Sequence, residues 1–255
     1  MREYWMNRNE ERVTLVNKIK TKYETEIENS IKGTKIYDEP TETCTKQNRE
    51  TEKILQKADS VSAVFEYAKP GKNTAVLNFA NFLTPGGGFI SGAMAQEEAL
   101  CLESTLYPVI SDDAFDPYYR QNKDMKPFLG SLYGDRALYT PDVVFFRDGK
   151  EVFCDVITCA APNAHQYIVA GGNQKVNGIT LMNRIKFILD IAVKEGVDTL
   201  ILGAFGCGVF GHNPGTLGSI YKYLLDEYEG VFETVVIAVI DQPTLDRIHN
   251  GFVCA

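Results

Sequence analysis

Apolar residues recur at helical spacing near the start of the chain. Val13, Val16, Ile19, Tyr23 and Ile27 fall three or four apart, which predicts one buried helix face. Asn7 followed by Glu10 predicts the helix start. The pattern breaks at Pro40, in "YDEPTETCTKQ". Residues 47–58, "QNRETEKILQKA", predict a second short helix. From residue 73 the pattern changes. "TAVLNFAN", "EVFCDVITCAAPN", "DTLILGAF" and "ETVVIAVI" are short apolar runs with β-branched and aromatic content, hence strands. The last three are nearly continuously apolar, as expected of strands covered on both faces. Helical stretches are predicted at 97–106, 172–195 and 214–228. The longest carries a wide stripe of Ile179, Leu181, Met182, Ile185, Ile188, Leu189 and Val193. Strands alternating with helices predict an α/β fold of three layers, α/β/α. The organisation expected is a helical extension over 1–66 packed on a core over 67–255. The stretch 109–140, rich in Asp, Tyr and Gly, reads as a long surface excursion.

Charge and cysteine usage narrow the function. A net charge of −8 over 255 residues argues against a binder of duplex nucleic acid, which needs a basic face to release counterions. It leaves room for a small anion held by backbone N–H groups. No apolar stretch reaches about 18 residues, so no membrane span is read, and the charged N-terminus has no secretory h-region. Cys44, Cys101, Cys154, Cys159, Cys207 and Cys254 are scattered. Free thiols in a reducing cytoplasm are the expectation. With three histidines and no C-x-x-C pair, no metal site and no cofactor are expected.

Two glycine-rich turns follow predicted strands. The first is Gly86-Gly87-Gly88, and the second is "GAFGCGVFGHNPGT", residues 203–216. Ligands of open α/β sheets bind at the carboxyl ends of strands, where such turns lie. Asn213 and Pro214 read as an N-cap and first helical residue. Gly206-x-Gly208-x-x-Gly211 satisfies a dinucleotide-binding pattern literally. It lacks the context: that fingerprint opens a βαβ unit, and little chain remains here to complete one. Neither turn ends in Gly-Lys-Ser/Thr, so a P-loop is excluded.

Glu97 and Glu98 follow Gln96 at a predicted helix start, after a segment free of charge. Acids there complement the helix dipole. Beside glycines and "FISGAMA", a carboxyl is also expected to have a raised pKa, which suits a general acid. Adjacent helical residues diverge by about 100°, so one glutamate is expected to transfer protons and the other to hold a substrate hydroxyl.

Gly86-Gly87-Gly88, seven residues, then Gln96-Glu97-Glu98 resembles the G-G-G/Q-E-E motif of poly(ADP-ribose) glycohydrolases of the bacterial type. "NFAN" ending at Asn81 and "GAFGCGVFGHNP" are also similar to that family and to macrodomains. The resemblance covers roughly 75–240. It implies a macrodomain-like fold with a mixed central sheet, and ADP-ribose and poly(ADP-ribose) as the molecules bound. It implies Glu98 as catalytic acid and Glu97 as its ribose-contacting neighbour; like-charge repulsion from Glu97 is expected to keep the Glu98 pKa high. Asn81 and Phe210 would contact the distal ribose. Gly86, Gly87, Gly88 and Gln96, with Gly206, Cys207, Gly208, Val209 and Phe210, would line the ligand. The amides of the two loops would wrap the diphosphate. His212 departs from the pattern, standing where an asparagine or small residue is expected. The activity implied is exo-acting hydrolysis of the ribose–ribose bond. A hydrolase of mono-ADP-ribose linkages and a non-catalytic ADP-ribose reader stay open as alternatives.

Overall fold

The computed structural model describes residues 2–39 and 50–254. Its elements are α1 (Arg2–Lys22), α2 (Glu24–Gly33), β1 (Lys35–Tyr37), β2 (Glu52–Lys57), α3 (Ser60–Tyr67), β3 (Thr74–Phe79), α4 (Gln96–Leu102), α5 (Leu106–Ile110), α6 (Asp116–Leu129), β4 (Ala137–Arg147), β5 (Lys150–Cys159), α7 (Ala164–Val169), α8 (Gln174–Lys194), β6 (Thr199–Gly203), α9 (Pro214–Glu227), β7 (Thr234–Val239) and α10 (Gln242–Val253).

The strands form one mixed seven-stranded sheet in the order β1-β4-β5-β3-β6-β7-β2. β5, β3, β6, β7 and β2 run parallel, and β4 pairs antiparallel with β5 and β1. Alternate residues of the central strands face opposite layers, as the two-residue strand period requires. Val76, Val156, Ile201 and Val236 point into the layer of α1 to α6. Ala75, Leu77, Ile157, Leu200 and Ile237 point toward α8, α9 and α10. Both faces are therefore dry, which is why these strands read as continuous apolar runs.

Several expectations are corrected. Helix α1 begins at Arg2 and runs through Asn7, so no start lies there. Val13 is exposed, whereas Val16, Ile19, Tyr23 and Ile27 are buried. Residues 52–57 form strand β2, not a helix, in register with β7 through Ile54 opposite Val236 and Leu55 opposite Ile237. A half-buried edge strand flanked by charges carries no clean alternation, so its pattern imitates a helix turn. Pro40, Cys44 and residues 47–49 lie outside the described residues. The 109–140 excursion contains helix α6 and the start of β4. It buries Phe115, Tyr118, Tyr119 and Asn122. The predicted helix at 97–106 is two short ones, α4 and α5, and β1, β4 and α10 were not anticipated.

β3 and β6 are parallel neighbours. The glycine-rich turns that follow them therefore leave the same edge of the sheet side by side, far apart in sequence though they are. Asn213 caps α9 as expected, its Oδ1 accepting from the N–H groups of Gly215 (2.8 Å) and Thr216 (3.3 Å), with Pro214 in the first turn.

Candidate active site

The loop after β3 folds back over the start of α4. Gly86 and Gly87 adopt φ of +67° and +55°, conformations open to glycine at little cost. A Cβ at Gly87 would lie 2.7 Å from Glu98 Oε1 and 2.9 Å from Glu97 Oε2. The two carboxyls thus converge on one point of the loop. The divergence expected of adjacent helical residues is undone because Glu98 turns back over its own helix end. Its Oε2 accepts from the Ala95 N–H (3.0 Å) as a helix-capping glutamate does, and its Oε1 accepts from the Gly88 N–H (2.8 Å).

Glu97 is 3% exposed and Glu98 6%. Glu97 accepts from the Asn81 N–H (2.8 Å) and from Asn78 Nδ2 (3.3 Å). Burial pushes its carboxyl up to about 8, and the Glu98 charge adds to the rise; the Asn81, Asn78 and Gly86 hydrogen bonds oppose it. The raised group is therefore the first glutamate. Glu97 is turned against β3, where Asn78 meets it. Tyr119 and Cys101, both buried, lie in its field.

The first-loop amides hold these acids. Gly88 donates to Glu98 and Gly86 to Glu97, while Gly87 and Phe89 close turns on Thr84 O and Gly86 O. Among the described residues, the N–H groups of Ile90 and Ser91 have no protein partner. The second loop differs. Cys207, Gly211 and His212 donate within it, to Ala204 O, Gly208 O and Gly206 O. Among the described residues, the N–H groups of Gly206, Gly208, Val209 and Phe210 have none. Val209 stands 87% exposed at its tip.

The structure brings Asn81, Gly86, Gly87, Gly88, Glu97 and Glu98 into one cluster. Asn81 Oδ1 accepts from Leu83 N–H (2.9 Å) and Thr84 N–H (3.1 Å), leaving its Nδ2 as the polar group available on an exposed residue. Gln96 does something else. Its Oε1 accepts from Phe79 N–H (2.8 Å), and its Nε2 donates to Leu77 O (2.8 Å) and Ser60 Oγ (3.0 Å). The Gln96 amide extends the β3 hydrogen-bond ladder and docks α4 on the strand. His212 is buried, and its ring Nε2 lies 2.8 Å from Pro162 O. It fastens the second loop to the segment after β5. Burial holds its pKa below the ordinary value.

Three residues escaped the sequence reading. Asn78, wholly buried in mid-strand, faces Glu97; its polarity inside an apolar run was the signal. Asn163 caps α7 and donates its N–H to Ser131 O (2.7 Å). Tyr133 stacks on Phe82 at 4.6 Å and lies 6.2 Å from the Phe210 ring. Nothing near Tyr133 in the sequence points to residues 82 and 210. Among the described residues, no group of three or more His, Cys, Asp or Glu could hold a metal ion.

The family model for the microbial-type PARG catalytic domain matches residues 4–148. The chain belongs to the microbial-type PARG family. Poly(ADP-ribose) glycohydrolase (PARG) from Thermomonospora curvata has 29% identity and a TM-score of 0.78, over 90% of this chain and 88% of that one. The same protein bound to the inhibitor ADP-HPD has 29% identity and a TM-score of 0.75, over 90% and 87%. The Deinococcus radiodurans PARG in complex with ADP-ribose has 30% identity and a TM-score of 0.75, over 89% and 97%. No curated protein matches the chain. The match spans the N-terminal helices, the acid pair and β4 of this PARG-family chain. Among the described residues, no helix is long and apolar enough to cross a membrane.

Proposed function

We propose that this PARG-family chain hydrolyses the O-glycosidic ribose–ribose bond of poly(ADP-ribose), acting at the chain end and releasing ADP-ribose. The observation that carries this reading is the convergence of the Glu97 and Glu98 oxygens on Gly87, 2.9 and 2.7 Å from the position of its Cβ. A protein that only reads ADP-ribose has no need of two buried carboxyls at one point.

Cleavage builds positive charge at the anomeric carbon and negative charge on the departing 2′-oxygen of the next unit. Glu98 exchanges protons with that oxygen. Glu97, raised to about 8, stores the proton that the pair holds at neutral pH and fixes the ribose hydroxyls. The proton passes to the leaving oxygen as the C–O bond breaks. Water adds to the anomeric carbon and returns one proton to the pair, so the cycle closes. Positive charge on the ribose is offset by the nearby diphosphate. That diphosphate is held by the open N–H groups of the second loop and by Ile90 and Ser91 of the first. Asn81 and Phe210 contact the distal ribose. The helices α1 and α2 form an accessory layer on this core. The chain works in the cytoplasm, where its thiols stay reduced.

Glu98→Gln keeps the shape of the side chain and removes the proton exchange. It is expected to lower polymer hydrolysis by about 10²–10⁴-fold while ADP-ribose binding, read by calorimetry, stays near wild type. Wild-type protein that binds ADP-ribose but releases none from polymer would be a reader instead. Release only from mono-modified protein would mark a different linkage.

A further inference from the structure

Tyr133 stands in a backbone conformation of φ 57° and ψ 177°, a region occupied almost solely by glycine and costly to any side chain. Glycines lie on either side, at 130 and 134, yet the strained position carries a large aromatic ring. Such strain persists only where the surroundings over-determine it, and here they do. Arg184, 1% exposed, donates to the Asp135 carboxylate, to Ala160 O and to Leu132 O, so a buried guanidinium grips both sides of Tyr133 and the end of β5. Ser131 O accepts from the Asn163 N–H.

The ring so presented is half-buried. It stacks on Phe82, next in sequence to Asn81, with planes 16° apart, and meets Phe210 of the second loop at 57°. Among the described residues no hydrogen bond joins 81–95 to 204–212. The row Phe82–Tyr133–Phe210 is a side-chain bridge between them on this side of the cleft.

We propose that Tyr133 is a substrate-positioning residue whose ring sets the spacing of the two glycine loops at the ribose end of the cleft. This rests on the reading that the cleft takes ADP-ribose. The strain is spent on placing a ring between Phe82, which follows Asn81, and Phe210. The hydroxyl meets the Asn163 side chain at the end of α7, away from the two ring contacts; the ring does the positioning, so phenylalanine substitutes for it.

The test compares Tyr133→Phe, Tyr133→Ala and Tyr133→Gly in the full chain, by calorimetric Kd for ADP-ribose, by KM and kcat on polymer, and by melting temperature. The Phe variant is expected to match wild type. The Ala and Gly variants are each expected to bind ADP-ribose about tenfold more weakly and to raise KM more than they lower kcat. The Gly variant is expected to melt above the Ala variant, the reverse of the usual order, because it alone relieves the backbone. Should the Ala variant fail to fold, the Gly variant carries the binding test. Wild-type binding with unchanged affinity in the Ala and Gly variants overturns this inference alone, as does an Ala variant that melts above the Gly variant. Wild-type protein that binds no ADP-ribose overturns the functional reading, and this inference with it.

Discussion

The two glycine-rich loops leave neighbouring strands and use glycine for different ends. In the first loop, glycine is demanded by the protein itself. A Cβ at Gly86 would lie 2.5 Å from the Tyr107 ring, at Gly87 between the two carboxyls, and at Gly88 2.7 Å from Ala93 Cβ. The amides of Gly86 and Gly88 are occupied by the acids. In the second loop, Gly206 is pressed against the His212 ring, 2.6 Å from its Cβ position, and closes the turn. Gly208 faces open space within 4 Å, and its N–H and those of its neighbours are unspent. One loop builds an acid, and the other presents donors. Glycine runs that look alike in sequence therefore have to be told apart by where their N–H groups go.

The largest effect is expected at Gly87. Gly87→Ala forces a methyl group onto both carboxyls and places a side chain at φ +55°. Polymer hydrolysis should fall by at least about a hundredfold, because misplacing the proton donor forfeits most of its contribution. Stability should fall by about 1–3 kcal/mol. A variant with wild-type turnover would break the contrast between the loops.

The acid pair gives the next test. The Glu97 carboxyl sits at about 8 in the folded chain against an ordinary 4.5. The folded state thus holds a proton that the unfolded state releases between those values. The stability tied to Glu97 is fully present below pH 4.5 and is lost as pH rises through 8, at up to about 1.4 kcal/mol per pH unit. Glu97→Gln should flatten this decline and melt higher than wild type at pH 8, while losing activity. Chemical denaturation from pH 4.5 to 9 checks it, and parallel curves for the two proteins would place the proton elsewhere.

The smallest effect is expected in the second loop. Gly208→Ala meets no protein atom within 4 Å, so its melting temperature should match wild type. A methyl group on a loop approached closely by a diphosphate should raise KM and weaken ADP-ribose binding about tenfold, roughly 1.4 kcal/mol. Unchanged binding would mean that the ligand does not approach that backbone, and would move the anion site toward Ile90 and Ser91.

Local chemistry carried much of this protein into view. The buried parallel strands were legible because both faces are dry, so apolar residues run on without alternation. The Asn213-Pro214 helix start was legible because a cap needs only its own neighbours. Gly86-Gly87-Gly88 and Gln96-Glu97-Glu98 were legible as a motif, since the loop folds onto the helix that follows it. The misread elements have the opposite character. β2 is a strand because β7 lies beside it, and nothing within residues 52–57 says so. Gln96 completes the edge of β3, a use of a side-chain amide fixed only once α4 is docked. The order of the acids also waited on tertiary structure. The sequence placed two glutamates together, but the rise at Glu97 comes from the packing that buries it against β3. The same holds for Tyr133, whose partners at 82 and 210 come from two separate loops. Short-range patterns act through the backbone and survive in sequence order, whereas burial and ring contacts arise between segments that only the folded chain brings together.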